Sequence, residues 1–153
     1  MNKIQAAIIT MSDSRSQSTE KADESGAVIK EILEANDYEV VHYELISDDL
    51  DGIKNSLIRV CDQNISLVLT TGGTGLSKRD NTPEATKAVI EKEVQGISEA
   101  MRYHSLQITP RAMLSRGVSG IRQNSLIINL PGSPKAVREN LEYIIPSLRH
   151  GLE

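Results

Sequence analysis

The sequence has few of the residues on which several classes of protein depend. Its 153 residues include one cysteine and four aromatic side chains, all of them Tyr, with no Trp and no Phe. The single cysteine, Cys61, excludes an intrachain disulfide framework, and so few aromatic rings leave little for stacking on nucleic-acid bases. The formal net charge of −4 also argues against a nucleic-acid binder that uses a basic face.

Long apolar runs are missing as well. No stretch approaches the roughly 18 apolar residues that a membrane-spanning helix needs, and the first residues show no signal-peptide pattern. We therefore expect no membrane partner and a location in the cytoplasm. The length and the 39% hydrophobic content predict one domain, residues 1–153, with an aliphatic core in which Cys61 is a small buried side chain.

Several familiar site motifs are also absent. The spacing of Gly72, Gly75 and Lys78 does not fit a Walker A loop, and no Gly-x-Gly-x-x-Gly follows the first apolar run. The three histidines are scattered and accompany no cysteine cluster, which disfavours a zinc site. The sequence contains no Gly-x-Ser-x-Gly elbow, which disfavours a serine hydrolase.

Strand-like and helix-like segments alternate along the chain. Short apolar runs at 4–10, 38–45 and 67–70 predict strands, and apolar residues at helical spacing follow each of them. This alternation predicts an α/β fold, a three-layer sandwich with a mostly parallel central sheet and helices on both faces. Segments 118–121 and 125–130 are predicted to form a hairpin, which would add an antiparallel strand at one edge.

Two helix starts are marked by proline. Pro83 and Pro134 are predicted to occupy the first helical position, with Thr82 and Ser133 as the caps before them. Pro146 is predicted to kink or end the last helix, because proline removes a hydrogen bond from a helix interior.

The loop from Thr71 to Asp80 is the most informative segment. Its glycines, Gly72, Gly73 and Gly75, let the backbone approach a ligand closely, and N–H groups between a strand end and a helix start suit a phosphate. The carboxyl ends of parallel strands share one edge of a sheet, so this loop is expected to meet the loops 12–15, 47–49 and 131–135. Together these loops indicate a site for phosphate-ester chemistry.

Most of these residues also have a purely structural explanation. Asp48 and Asp49, taken alone, are explained better as caps of the following helix, and Ser133 is expected to be a cap whether or not it also holds a phosphate. Asp80 stands beside two cations and could be a solvated surface charge. A plain turn, by contrast, does not need three glycines within about ten residues.

Several blocks of sequence, taken in order, carry a resemblance to a known family. They are Ser12-Asp13-Ser14; Ile46-Ser47-Asp48-Asp49; Thr70-Thr71-Gly72-Gly73-Thr74-Gly75 with Arg79-Asp80 and Thr82-Pro83-Glu84-Ala85; Ala112-Met113-Leu114-Ser115-Arg116; and Asn129-Leu130-Pro131-Gly132-Ser133-Pro134-Lys135-Ala136. Over nearly the whole chain they resemble the molybdopterin adenylyltransferases, the MogA/MoaB group of molybdenum-cofactor biosynthesis proteins. The glycine segment alone would also match relatives such as molybdenum-insertion domains and competence-associated proteins.

The resemblance implies a reaction in which molybdopterin and ATP give adenylylated molybdopterin and pyrophosphate, with Mg²⁺. It implies that Asp48 and Asp80 are the catalytic carboxylates and the ligands of Mg²⁺. Ser47 stands where the family usually has Pro, and one residue is missing between Asp48 and the glycines relative to some members, so Asp49 stays an alternative to Asp48. The alternative function is a non-catalytic molybdopterin-binding or scaffold protein of the same fold, and the glycine loop alone would also suit an enzyme acting on another phosphate ester.

The resemblance also implies partners and a set of binding residues. A homotrimer or homohexamer is expected, and the molybdenum-insertion enzyme is a candidate partner. Lys78, Arg79 and Arg15 are expected to assist electrostatically, and no general base is needed because a phosphate nucleophile is already ionised at neutral pH. The predicted substrate-binding residues are Ser12, Asp13, Thr71, Gly72, Gly73, Thr74, Gly75, Ser115, Pro131, Gly132, Ser133 and Pro134.

Overall fold

A computed structural model describes residues 2–13 and 23–153. Within these ranges six strands alternate with five α-helices and a short 3₁₀ helix at Pro110–Leu114. The strands are β1 (Ile4–Met11), β2 (Tyr38–Ile46), β3 (Leu67–Thr71), β4 (Lys92–Glu93), β5 (Ser119–Arg122) and β6 (Ser125–Leu130). The helices are α1 (Glu24–Ala35), α2 (Leu50–Asp62), α3 (Thr82–Val89), α4 (Gln95–Leu106) and α5 (Pro134–Leu152).

The sheet is parallel in its centre and antiparallel at one edge. Its strand order is β2-β1-β3-β6-β5-β4. The pairs β1·β2, β1·β3 and β3·β6 are parallel, whereas β5 pairs antiparallel with both β6 and β4. The predicted hairpin is therefore confirmed, but the two-residue strand β4 was not anticipated, because so short a segment carries no alternating pattern.

Helices cover both faces of the sheet, which confirms the three-layer arrangement. On one face α1, α4 and α5 contribute buried side chains such as Ile29, Met101 and Leu141. On the other face α2 and α3 contribute Leu57 and Val89 among others. The central strands β1, β3 and β6 supply apolar residues to both clusters, as expected of parallel strands buried on both sides. Cys61 is buried in the second cluster, as predicted.

Two predicted helix boundaries are wrong. The N-cap position of α3 is held by Asn81, not Thr82, whose hydroxyl instead donates to the carbonyl of Gly72 at 3.0 Å. Pro146 does not end α5, which continues to Leu152, since a single proline removes one hydrogen bond and a well-buried helix face can compensate for it. The alternative, a kink at Pro146, stays a prediction. The predicted cap of α5 is correct: the side chain of Ser133 accepts a hydrogen bond from the Ala136 N–H at 3.2 Å.

None of the helices in the described ranges is both long and apolar enough to cross a membrane.

Candidate functional site

Residues 72–81, here called the glycine loop, connect β3 to α3, and the first two of them adopt a conformation that favours glycine. Gly72 and Gly73 have φ angles of +96° and +70°. A Cβ atom on Gly72 would lie 2.3 Å from the carbonyl oxygen of Met11, and one on Gly73 would lie 2.3 Å from the Thr82 hydroxyl and 3.0 Å from Oδ1 of Asp48. The glycines therefore bring the backbone against β1, α3 and the loop after β2 at once.

Thr82 holds the carbonyls of the first two loop residues. Its hydroxyl donates to the Gly72 oxygen at 3.0 Å and its N–H donates to the Gly73 oxygen at 3.2 Å. Because a trans peptide is planar with its C=O and N–H on opposite sides, the N–H groups of Gly73 and Thr74 are turned away from Thr82. Within the described residues, no protein acceptor takes a hydrogen bond from the N–H of Gly73, Thr74 or Gly75.

The glycine loop is tied to the loop before α5. The Thr71 hydroxyl donates to the Pro131 carbonyl at 2.5 Å, and the Gly72 N–H donates to the Leu130 carbonyl at 3.4 Å. The two loops approach so closely that a Cβ on Gly132 would lie 3.6 Å from the Gly72 Cα. The sheet thus brings together segments about 60 residues apart in sequence.

Asp48 lies in the same place, just after β2. Asp13 and Asp48 exchange hydrogen bonds: the Asp13 N–H donates to Oδ2 of Asp48 at 3.1 Å, and the Asp48 N–H donates to Oδ1 of Asp13 at 2.8 Å. The other oxygen of Asp48, Oδ1, is buried and accepts no hydrogen bond from the part of the chain that is described. Burial raises the pKa of the Asp48 carboxyl, and the charges of Asp13 and Asp80 raise it further.

Asp49 has a different environment from its neighbour. It is exposed, and its carboxylate accepts a hydrogen bond from the Gly52 N–H at 2.8 Å as the N-cap of α2. The structure therefore separates the two aspartates: the helix is capped by Asp49, which leaves the Asp48 side chain to face the glycine loop.

Asp80 and Arg79 close the other end of the glycine loop. Oδ2 of Asp80 accepts a hydrogen bond from the Ser77 N–H at 2.9 Å. Arg79 forms a fork with Asp13, donating from two guanidinium nitrogens at 2.9 Å each, and these hydrogen bonds lower the pKa of Asp13 to about 2. Lys78 is exposed. Ser14 and Arg15, which were expected near this site, lie outside the described residues.

A cavity of about 420 Å³ lies between α4, the 3₁₀ helix and α5, and it reaches the loop before α5 at Pro131, the residue that is tied to Thr71. Three predicted binding residues, Ser115, Pro131 and Ser133, line it. Arg102, Arg111 and Lys135 also line it, against one acidic side chain, Glu139, that lies 3.9 Å from Lys135. A cavity with this excess of cationic side chains suits an anionic ligand.

The remaining predicted residues fall at the same edge. Ser12 follows β1, and its N–H donates to the Ile46 carbonyl at the end of β2 at 2.9 Å. Gly132 accepts a hydrogen bond at its carbonyl from the Ser25 hydroxyl at 2.7 Å, and Pro134 is the first residue of α5.

Sequence reasoning assigned no role to Asn129 or Arg116. Asn129 is buried on β6. Its side-chain Nδ2 donates to the hydroxyls of Thr70 and Thr86 at 3.0 Å each, and its side-chain Oδ1 accepts from the Val118 N–H. Arg116 contacts the glycine loop at several atoms. Both residues stand inside the family-like blocks of sequence, which is the only signal in the sequence that could have singled them out.

Comparisons with known proteins agree with this geometry. The sequence model of a family described as a probable molybdopterin binding domain matches residues 7–150. The chain belongs to this molybdopterin-binding domain family. Relatives within the family confirm the expected resemblance to the MogA/MoaB group. A protein of Helicobacter pylori (strain J99) named molybdopterin adenylyltransferase is 47% identical over 152 residues, which cover 97% of this chain and 85% of that protein.

Two further members of the molybdopterin-binding domain family extend the comparison. Molybdenum cofactor biosynthesis protein B of Staphylococcus aureus (strain COL) is 39% identical over 152 residues, 96% of this chain and 89% of that protein. The crystal structure of the molybdopterin biosynthesis enzyme MoaB from Thermus thermophilus superposes with a TM-score of 0.91 at 45% identity, covering 97% of this chain and 94% of that one. The α/β fold is therefore shared across the family.

Proposed function

We propose that this protein is a molybdopterin adenylyltransferase, which transfers AMP from ATP to the terminal phosphate of molybdopterin and releases pyrophosphate. The relative from H. pylori that bears this name matches nearly the whole chain. The observation that carries the proposal is the placement of Oδ1 of Asp48, buried and without a hydrogen bond from the described residues, against a loop whose N–H groups of Gly73, Thr74 and Gly75 have no acceptor among those residues. Residues 1–153 are proposed to form one such domain.

The proposed phosphate site is the backbone of the glycine loop. These N–H groups, which have no acceptor among the described residues, can each donate to a phosphate oxygen, and the Thr74 hydroxyl is proposed to add a further donor. Thr71 is proposed to support the site by donating its hydroxyl to the Pro131 carbonyl. The pterin is proposed to occupy the cavity at the loop before α5, where Ser115, Pro131 and Ser133 lie beside three cationic side chains. Ser12, Asp13, Gly132 and Pro134 complete the proposed binding surface between the two loops.

Asp48 and Asp80 fit the requirements of Mg²⁺, which prefers oxygen ligands and is usually held by one or two carboxylates together with substrate phosphates. The buried Oδ1 of Asp48 accepts no hydrogen bond from the described residues, so this oxygen is available as a ligand for the ion. Its raised pKa reflects burial together with an excess of negative charge, from Asp13 and Asp80, that a cation would relieve. When bound, the ion would offset the charge that develops on the leaving pyrophosphate.

The protein's own part in the reaction is to bring two anions together. The terminal phosphate of molybdopterin is ionised at neutral pH, so it needs positioning against the α-phosphorus rather than a general base. The exposed side chain of Arg79, which donates to Asp13 in this structure, is proposed to donate to a phosphate oxygen of ATP instead when ATP binds.

The test is the reaction itself. Purified protein with molybdopterin, ATP and Mg²⁺ should release pyrophosphate and form adenylylated molybdopterin, and the Asp80→Asn variant should lose turnover by orders of magnitude while molybdopterin affinity changes little. Tight binding of molybdopterin by the wild type without pyrophosphate release would leave the non-catalytic binding role instead.

The oligomeric state and the cellular location are part of the same proposal. Large apolar side chains stand exposed around α4 and the 3₁₀ helix, among them Tyr103, Ile108 and Met113, and their burial in a homotrimer or homohexamer would remove them from water. Sedimentation equilibrium decides between these assemblies, and a monomer would contradict both. The reaction is placed in the cytoplasm, and its activated product is passed to a molybdenum-insertion enzyme.

A further inference from the structure

Arg116 precedes β5 and binds both ends of the exposed part of the glycine loop. Its backbone N–H donates to the Thr74 carbonyl at 2.9 Å and its Nε donates to the Gly75 carbonyl at 2.7 Å. On the far side of the loop, one terminal guanidinium nitrogen donates to the Asp80 carbonyl at 2.8 Å. The intervening residue Leu76 is 69% exposed, so little protein packs against this part of the loop.

These contacts decide which way the peptide groups of the loop face. Thr82 takes the carbonyls of Gly72 and Gly73, and Arg116 takes those of Thr74 and Gly75. Four successive carbonyls are thus held from two residues, so the following N–H groups, from Gly73 to Leu76, are turned away from Thr82 and Arg116. The backbone N–H of residue 116 holds the Thr74 carbonyl whatever side chain stands there, so the arginine side chain itself anchors the Gly75 peptide group and, at the end of the loop, the Asp80 carbonyl.

The guanidinium is itself held by the helix that follows the loop. One terminal nitrogen lies 2.7 Å from Oε2 of Glu84 and the other lies 3.3 Å from Oε1. A planar guanidinium can reach two carbonyls and a carboxylate from one position, which the single ammonium of lysine cannot do.

We propose that Arg116 is a positioning residue for the adenylyl transfer proposed above: its guanidinium binds the Gly75 and Asp80 carbonyls and so fixes the Asp80 carboxylate and the phosphate-binding N–H groups of the glycine loop. The inference rests on the proposed function for its chemistry, because the groups that it positions are those assigned to the metal and the phosphate. It assigns Glu84 the lesser part of orienting the guanidinium.

The test compares Arg116→Lys with Arg138→Lys. Arg138 is a matched control, since it also binds two carboxylates, Glu31 and Glu142, but lies on α5 away from the loop. Arg116→Lys should lower kcat by about 10²-fold, the order of loss that a displaced reacting group causes. It should also raise the Mg²⁺ concentration for half-maximal rate, which a loss of stability alone would not do.

Glu84→Gln separates the two kinds of contact that Arg116 makes. This variant removes the carboxylate charge but leaves the three loop carbonyls available, so its kcat should fall much less than that of Arg116→Lys. An equal loss in both variants would contradict the proposal, since the ion pair and not the loop carbonyls would then be the functional contact. A kcat of Arg116→Lys within about twofold of wild type, or a loss matched by Arg138→Lys, would also overturn it.

Hydrogen exchange in the free protein tests the hold on the loop without relying on turnover. The N–H groups of Asp80 and Thr82 donate to the Ser77 and Gly73 carbonyls, and both should exchange faster in Arg116→Lys than in wild type or Arg138→Lys. Unchanged exchange would contradict the positioning role. If the wild type released no pyrophosphate, the proposed function would be wrong, but the exchange measurement would still decide whether Arg116 holds the loop.

Discussion

Two carboxylates four residues apart, Glu44 on β2 and Asp48 just after it, have opposite surroundings. Glu44 with its hydrogen-bonding neighbours is here called the Glu44 cluster, and Asp48 with the groups around it the Asp48 site. Glu44 contacts Ser56 and Arg59 of α2 and His42 of its own strand, β2. Asp48 stands over the glycine loop, where its neighbours include the carboxylates of Asp13 and Asp80. Both oxygens of Glu44 have protein partners, whereas one oxygen of Asp48 has none among the described residues.

The Glu44 cluster satisfies both oxygens. Oε2 accepts from the Ser56 hydroxyl at 2.5 Å, Oε1 lies 2.6 Å from Nε2 of His42, and Arg59 donates to both oxygens at 2.8 and 2.9 Å. Burial pushes the pKa of Glu44 upward, but the hydrogen bonds from Ser56, His42 and Arg59 outweigh it, and the pKa is lowered. This carboxylate stabilises the packing of α2 on β2.

In the Asp48 site the pKa of the carboxyl is raised instead of lowered. Burial is the largest cause of its raised pKa, and only the Asp13 N–H and the Arg79 guanidinium oppose it. A buried carboxylate oxygen that no described residue pairs, beside two glycines at positive φ, lowers the stability of the folded chain. Such a cost is expected where a ligand completes the environment, which supports the proposed role of Asp48 and sets it apart from Glu44.

Replacing each member of the Asp48-Asp49 pair should give the largest contrast in activity. Asp48→Asn removes the charge offered to Mg²⁺ and should lower turnover by about three orders of magnitude, equivalent to about 4 kcal/mol in the barrier. Asp49→Asn should leave turnover within about threefold of wild type, because Asn caps a helix about as well as Asp. Pyrophosphate release and thermal unfolding of both variants measure the two effects.

Equal losses of turnover in the two variants would contradict the separate roles of these residues. The melting temperature of Asp48→Asn should be no lower than that of wild type, since the amide relieves repulsion from Asp13 and Asp80. A clear fall in that temperature would show that the Asp48 carboxylate stabilises the fold, against the comparison with Glu44.

The pH dependence of stability should have opposite signs at the two carboxylates. Asp48 has a folded pKa above its ordinary 3.8, so its charge destabilises the fold as pH rises through that range, and Asp48→Asn should gain stability over wild type with rising pH. Glu44 has a folded pKa below its ordinary 4.5, so it stabilises the fold above pH 4.5 and this stabilisation is lost as pH falls through the folded pKa.

Urea unfolding of Asp48→Asn, Glu44→Gln and wild type across this pH range measures both signs. At neutral pH Glu44→Gln should cost about 1 kcal/mol, because one charge-assisted acceptor is lost, and the difference from wild type should shrink in acid. If the two variants shift stability in the same direction at neutral pH, the two carboxylates do not differ in the way the structure indicates.

The sequence was sufficient for the fold because its signals are local. The apolar runs that became β1, β2 and β3, the hairpin before β6 and the cap at Ser133 each depend on residues near one another in the chain. The errors arose where contacts between distant segments decide the outcome: β4 has only two residues and exists through its pairing with β5, and α5 continues through Pro146 because its apolar face is buried. Propensity gives way to packing in both cases.

The candidate site could be predicted only in part, because its decisive contacts span the chain. The glycines and the carboxylates can be read from the sequence, but the choice between Asp48 and Asp49 depends on which side chain reaches Gly52 and which reaches Gly73. Arg116 contributes through hydrogen bonds to residues 32 to 42 positions earlier, and no local pattern announces such contacts. The fold must be known before these residues can be assigned.

Removing the ion pair of Arg79 with Asp13 should have the smallest effect on stability. It tests whether Asp13 resembles Glu44, whose charge is held by partners, or Asp48. The Arg79 side chain is 55% exposed, so Arg79→Gln should change the free energy of unfolding little. The pKa of Asp13, about 2 in the intact pair, should rise toward its ordinary 3.8, as NMR titration of the carboxyl would report. A pKa that stays near 2 would mean that the Arg79 guanidinium is not the main cause of the lowered pKa of Asp13. Asp13 would then resemble Glu44 as a carboxylate whose pKa its surroundings lower, and Asp48 would stand apart from both because its pKa is raised.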